Sequence, residues 1–385
     1  MDKKFSFEKL VTRIIVLILI IFLLSIGYTF IVKKGYSEEK LPNRLNYLEM
    51  ANGYEHYLGW RVSAIKGNAG IFTWDDGTLA IYEEKCDVTP TANSILDLKS
   101  YLDKIGINML YVQAGNKVSE SEDSKISGSL DFSNQNITEL LGMLKDNGIT
   151  CMDMRDYMLD YEKANNISHH DLYYLTDNHW KGETGFWASG IIGNFVKENY
   201  RLPLDTSVFD SSKYEYKTLK NWWIGAQGKK VTLAKTEPED FTLIYPEFEN
   251  NLSISVPYKN VYKTGDFSVT YNNSLVYPKD YYKKYTYLSY GYGCQPTITI
   301  KNNLATNDTH ILVIKDSFAD SVYPFLALSV AQVDIIDPRY YFFDKDNNIS
   351  IKEYIKQLNP DLVIMLYSPL VTYFPNCTYF DEEIK

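Results

Sequence analysis

Ser317 stands where a short apolar run, Ile311 to Ile314, gives way to helical spacing, and far upstream Asp177 and His179 lie two residues apart. Together these residue types can do nucleophilic chemistry. A carboxylate beside an imidazole fixes its tautomer and favours the imidazolium that forms when the ring takes a proton from a serine hydroxyl. Residues i and i+2 of an extended segment point to one side, so Asp177 and His179 can reach one pocket from a single loop. That makes a possible triad in the chain order Asp, His, Ser. An ordinary reading stands beside it: a serine after a strand is commonly a helix N-cap, and Asp-x-His pairs are common on surfaces.

Other candidates carry less. His169 and His170 precede Asp171, but neighbouring side chains point apart in a strand and about 100° apart in a helix, so one ion does not readily take both. Cys294, in the Gly291-Tyr292-Gly293-Cys294 turn, has no histidine nearby in sequence and reads as structural. Cys86, Cys151, Cys294 and Cys377 lack any Cys-x-x-Cys spacing, so neither a metal site nor a redox motif is indicated, and no cofactor is implied. Outside the cytoplasm disulfides among them are allowed, and the pairing stays open. Trp180, next to His179, and Trp222 and Trp223, close to Gly225 and Gly228, are candidates to stack on a sugar ring. For Trp222 and Trp223, buried packing is the safer reading for at least one of the two.

The elements that must position these residues alternate strand and helix. Ile311 to Ile314 is short and continuously apolar, as in the middle of a parallel sheet, and Asp316 or Ser317 can cap the helix suggested by Phe318, Val322, Phe325 and Leu326. A serine there lies at the carboxyl end of a strand, where open α/β sheets place ligands near helix N–H groups. Upstream, Gly70 to Tyr82 reads as a hairpin around Asp76-Gly77. Ile95–Leu102 and Ile137–Leu144 have helical spacing, a helix runs from about Gly185 to Val196, and Ile107–Val112 and Ile149–Met152 read as strands. Downstream come a strand at Val333–Ile336, a helix at Ile351–Leu358 and a strand at Asp361–Tyr367. Between the two halves, residues 205–300 shift to Tyr, Thr, Lys and Asn. Segments such as Lys230–Leu233, Phe241–Tyr245 and Phe267–Tyr271 suggest antiparallel strands in a β-rich insertion.

Composition bounds the setting. Ile14 to Val32 is an almost unbroken apolar run, long enough to span a bilayer as one N-terminal transmembrane helix, and Lys3, Lys4, Lys9 and Arg13 before it favour a cytoplasmic N-terminus. No Ala-x-Ala-like site follows, so an uncleaved anchor is expected over a signal peptide. Residues 35–385 hold 33 basic and 47 acidic side chains, a formal charge of −14, which argues against nucleic acid as a partner. The 33 tyrosines suit a wet sugar-binding surface and equally a β-rich insertion. The expected organisation is a tail and anchor (1–34), a juxtamembrane connector (35–69), and a core domain in two parts (70–204 and 301–385) around the insertion (205–300).

With these residues in place, TDNHW (Thr176 to Trp180), IKDSFADSVYPFLA (Ile314 to Ala327) and IIDPRYY (Ile335 to Tyr341) resemble the bacterial DHHW family, in the AlgX/AlgJ-like branch of SGNH hydrolase-like proteins. The resemblance runs in the right order from about residue 70 to 370. It implies an SGNH-like three-layer α/β/α sandwich with a mostly parallel sheet. It also implies a membrane-anchored extracytoplasmic enzyme that O-acetylates an exported or cell-surface polysaccharide, with a membrane-bound O-acyltransferase supplying acetyl groups. In that pattern Ser317 matches the nucleophile, His179 the base and Asp177 the acid, while Asn178 replaces the first His of D-H-H-W. Lys-Asp-Ser replaces the Gly-Asp-Ser of the hydrolases, so their oxyanion hole cannot be copied. Ser317 N–H is one candidate oxyanion donor. Asn116, in the AGNK loop, is a second, with a plain turn residue as its alternative. An acetylesterase, or a non-catalytic polysaccharide-binding subunit of an export complex, would fit the same residues.

Overall fold

The computed structural model describes residues 11–19, short pieces between 45 and 64, and residues 69–74, 76–120, 131–341 and 349–370. Three short strands, β1 (Val62–Ala64), β2 (Ala69–Thr73) and β3 (Leu79–Glu83), form an antiparallel sheet. The β2–β3 turn is the expected hairpin at Asp76-Gly77, with Gly77 at φ 84° and Thr78 N–H donating to Asp76 Oδ1 at 2.8 Å. There follow α1 (Thr89–Ile105), β4 (Asn108–Gln113), α2 (Ser133–Asp146), β5 (Thr150–Asp153), α3 (Met154–Asn165) and α4 (Gly182–Tyr200). The middle of the chain supplies β6 (Tyr214–Trp223), α5 (Ala226–Val231), β7 (Glu239–Pro246), β8 (Leu252–Val256), β9 (Val261–Gly265), α6 (Asn273–Val276) and β10 (Thr297–Asn302). Last come β11 (His310–Lys315), α7 (Tyr323–Leu326), β12 (Gln332–Ile336), α8 (Ile351–Leu358) and β13 (Leu362–Tyr367).

The main sheet has eight strands in the order β5-β4-β13-β11-β12-β10-β8-β9, the first five parallel and the last three added antiparallel. Strand periodicity builds the layers. Leu110, Val112, Ile311, Val313 and Ile364 face a core shared with Phe186, Ile192 and Val196 of α4, while Met109, Tyr111, Leu312, Ile314 and Val363 face one shared with α1, α2 and α8. Helices therefore cover both faces of the parallel strands, and the sandwich has three layers. Ile311 to Ile314 are at most 1 % exposed, and each such aliphatic side chain contributes about 1.5–3 kcal/mol on burial.

Residues 205–300 divide their strands. β6 and β7 make a separate two-stranded ribbon, whereas β8, β9 and β10 extend the main sheet beyond β12. Of the three segments named from the sequence, only Phe241–Tyr245 is a strand. Lys230 and Val231 close α5, and Phe267–Thr270 is a 3-10 turn whose Ser268 N–H is capped by Asp266. Alternation in such short runs cannot separate a strand from a capped turn. The apolar run expected to cross a membrane falls mostly outside the described residues. Its described part lies in a helix over 11–19, and no described helix is long and apolar enough to cross a membrane. Cys86, Cys151 and Cys294 are free thiols, and Cys377 lies outside the described residues.

Candidate active site

Two loops meet at the carboxyl edge of the parallel strands. The first leaves β11 at Lys315. Asp316 Oδ1 accepts from Phe318 N–H at 2.9 Å, the capping role expected of it, although what it caps is the 3-10 turn Ser317–Ser321 and the α-helix begins only at Tyr323; Oδ2 accepts from Ser368 N–H at 2.7 Å, tying the turn to the end of β13. Ser317 opens the 3-10 turn Ser317–Ser321 and is half-buried, so its hydroxyl is held but reachable. The second loop is closed by a bridge between Tyr173 and Trp180 and by Tyr174 N–H donating to His179 O at 3.1 Å, which leaves Thr176 to Asn178 at its tip.

At the junction His179 Nε2 lies 2.7 Å from Ser317 Oγ, and His179 Nδ1 is bonded to Asp177 Oδ1. Burial alone would raise the Asp177 carboxyl, but the His179 charge and the N–H groups of Ala226 and His179 outweigh it and hold it below the usual carboxylate range. With Asp177 ionised, Nδ1 carries its proton toward the carboxylate and Nε2 is left to accept from the serine. That is general-base geometry within ordinary hydrogen-bond reach. The imidazole is stacked on Tyr287, centroids 4.1 Å apart and planes 21° apart, so the ring cannot swing freely.

The tryptophans separate. Trp180 is fully buried, and its indole N–H reaches Phe318 O and Ser321 Oγ at 3.0 Å each, which pins the histidine loop to the serine turn. Trp223 is 1 % exposed, packed edge-on to Tyr174. Neither offers a face to a sugar, and the sugar-stacking expectation for these two is corrected to core packing. Trp222 is half-buried, donates to Val276 O at 2.9 Å, and lies beside Tyr277 and Lys279 near the surface.

Asn116 follows β4, one strand removed from β11 across β13. It is 4 % exposed, and its side-chain amide nitrogen has no hydrogen-bond partner among the described residues, although buried amides are almost always paired. Its carbonyl accepts from His169 Nε2 at 2.7 Å, and His169 Nδ1 meets Glu162 Oε1 at 2.6 Å. His170 turns instead to Asp76, 3.3 Å away, so the adjacent histidines serve different partners.

Several supporting groups carried no signal in the sequence. Tyr287 is one. Glu239, at the start of β7, and Lys117, after β4, both grip the histidine loop. The lysine of Lys-Asp-Ser, Lys315, is fully buried and bonded to Asp320 and to Gly293 O at 3.1 Å, with Asp337 of IIDPRYY 3.7 Å away. Asp337 in turn takes Arg339 Nε at 2.8 Å and the guanidinium end at 2.6 Å. Gly225 was a hint: a Cβ there would lie 2.3 Å from Asp177 Cβ, so only glycine lets the start of α5 donate from Ala226 N–H to Asp177 Oδ2 at 2.6 Å.

No family model matches the sequence, and no curated protein matches it. Solved structures do match. Bacillus cereus PatB1, determined with a sulfonyl adduct, superposes with a TM-score of 0.63 at 20% identity, over 79% of this chain and 96% of that one. A DHHW family protein from Eubacterium siraeum superposes with a TM-score of 0.56 at 16% identity, over 80% and 93%. The likeness is one of fold: the chain has the architecture of the DHHW protein whose family its motifs resemble.

Proposed function

We propose that this chain is an SGNH-like O-acetyltransferase that moves acetyl groups onto an exported or cell-surface polysaccharide. The 2.7 Å approach of His179 Nε2 to Ser317 Oγ, with Asp177 on Nδ1, carries the reading. The motif resemblance supports the acceptor class. His179 takes the Ser317 proton as Oγ attacks the acetyl carbonyl, and Ser317 N–H and Asn116 Nδ2 stabilise the oxyanion. The donor oxygen leaves with the proton from His179, giving an acetyl-serine. A sugar hydroxyl then loses its proton to His179 and attacks the ester carbon, and Ser317 recovers the proton as the acetyl group departs. Trp222, with Tyr277 and Lys279, is the aromatic surface we assign to the polymer. In this reading the segment Ile14–Val32 anchors the chain, N-terminus inside, with the catalytic domain outside beside a membrane-bound O-acyltransferase that supplies acetyl groups.

The test is intact-mass spectrometry of the full chain in detergent after brief exposure to an activated acetyl ester, beside Ser317→Ala. One added acetyl group in the wild type alone supports the covalent step. A sulfonyl fluoride, suggested by the sulfonyl adduct on PatB1, provides a second label for the same hydroxyl. Candidate oligosaccharides that take up the acetyl group distinguish a transferase from an esterase, which releases acetate instead. No adduct with either reagent overturns the reading in favour of a binding subunit.

A further inference from the structure

The backbone that presents Asp177 lies between two opposite charges that take no part in the proton transfers. Lys117 is 2 % exposed, and its ammonium reaches the carbonyl oxygens of Leu79 at 2.5 Å, Tyr174 at 2.5 Å, Leu175 at 3.0 Å and Asp177 at 2.9 Å. Three N–H donors shared among four carbonyls leave the lysine no freedom to turn away. On the other side, Glu239 Oε2 accepts from Leu175 N–H at 2.6 Å, and Oε1 accepts from Thr176 N–H at 2.7 Å and from the Thr176 hydroxyl. Thr176 Oγ1 then accepts from Gly225 N–H at 2.7 Å, and Thr176 O accepts from Gly228 N–H at 2.9 Å. The carbonyls of Tyr174, Leu175 and Asp177 are thus turned toward the cation, and the N–H groups of Leu175 and Thr176 toward the anion.

Satisfying buried backbone groups would alone justify such partners. Water or neutral side chains could do that as well, at a lower desolvation penalty than a buried lysine, whose ammonium is pushed down to about 8 by burial against the pull of Glu239 and Asp177. What the charges add is direction, because the gripped segment ends at the residue that orients the base. We propose that Lys117 and Glu239 are positioning residues, an opposed-charge clamp that sets the Asp177 carboxylate against His179. The inference rests on the triad reading of the site.

The experiment uses the full chain and two near-isosteric variants, Glu239→Gln and Thr176→Val, with three readouts: kcat and KM for an activated acetyl ester, the low-field proton resonance of His179 Nδ1–H, and thermal unfolding. A displaced catalytic array loses rate rather than binding, so Glu239→Gln lowers kcat by about tenfold to hundredfold, with KM within about twofold and the His179 resonance shifted or lost. Thr176→Val, which keeps both charges and removes one arm, gives a smaller change in the same direction. Folded variants with wild-type kcat and an unmoved resonance overturn the clamp. If Glu239→Gln does not fold, Thr176→Val decides by the same readouts. If the wild type itself forms no acetyl-serine, the fault lies with the proposed function, and the resonance in wild type and variants still decides whether the clamp sets the Asp177–His179 geometry.

Discussion

The two loops that meet at the site are held in different ways. The serine turn is capped locally, Asp316 accepting from Phe318, its own next-but-one neighbour, with added ties from Ser368, just past the end of β13, and from Trp180. The histidine loop is fastened from afar, by Lys117 after β4, Glu239 on β7 and the backbone of Gly225 and Ala226 before and within α5. A local turn is encoded where it stands. A borrowed one depends on segments dozens of residues away, so it should fail under substitutions that touch no catalytic group.

The largest effect removes chemistry from either loop. Ser317→Ala should lower acetyl-ester turnover by roughly 10⁴-fold or more, and Asp177→Asn by about 10⁴-fold with the fold intact, because an amide no longer holds the imidazole in its productive tautomer. Steady-state rates with circular dichroism on the same samples check both. Turnover within tenfold of wild type for either variant would remove the basis for comparing the loops as halves of one site.

The borrowed loop is separately exposed at Gly225. A methyl group there meets Asp177 Cβ at 2.3 Å and Thr176 O at 2.6 Å, backbone and a short rigid side chain that cannot yield cheaply. Gly225→Ala should cost about 1–3 kcal/mol of stability and, by shifting the carboxylate, about 10²-fold in kcat. Asp316→Asn, in the local turn, keeps an acceptor for Phe318 N–H and should lose less rate. If the two substitutions rank the other way, the contrast between local and borrowed support is wrong.

This contrast also explains what the sequence could reveal. The strand Ile311–Ile314, the Asp316 cap, the hairpin at Asp76-Gly77 and the helix Ile351–Leu358 are each written in neighbouring residues, and each forms as read. The pairing of Asp177, His179 and Ser317 was legible because residue type and i, i+2 spacing narrow the options. Lys117 and Glu239 were not legible, since a buried ammonium gripping carbonyls leaves no periodicity and its partners lie 38 to 60 residues away. Trp180 and Trp223 were misread for a related reason. An indole next to a candidate catalytic residue looks like a substrate contact until the packing around it is known. Strands β8 to β10 looked like a separate insertion because antiparallel alternation gives no sign of which sheet it will join.

A smaller difference between the loops should appear with pH. The Asp177 carboxyl is held below its ordinary value in the folded protein, so its stabilising contribution is complete above the ordinary carboxylate range and is lost as pH falls through the folded value. Lys315, beneath the serine turn, is raised above its ordinary value by Asp320, Cys294 and Asp337 against the effect of burial. Its contribution is complete below the ordinary lysine range and fades only at strongly alkaline pH. Denaturant melts of wild type and Asp177→Asn should therefore converge as pH falls below about 4, the ordinary carboxylate range. A stability gap that stays constant from pH 7 to about pH 3 would mean that Asp177 is not held as described.

The smallest effect tests whether the surface beside the borrowed loop belongs to the site at all. Trp222 precedes Gly225 by three residues, and its half-exposed indole lies edge-on to Tyr277, centroids 5.5 Å apart, with Lys279 Nζ 5.6 Å from the ring centre. A small acetyl ester has no reason to touch it, whereas a polymer held across the site does. Trp222→Ala should leave ester turnover within about twofold and raise KM for an oligosaccharide acceptor by roughly fivefold to thirtyfold, the equivalent of losing one aromatic contact of about 1–2 kcal/mol. Equal losses with both substrates would assign Trp222 to holding α5 and the Asp177 loop in place, and would take it out of the acceptor surface.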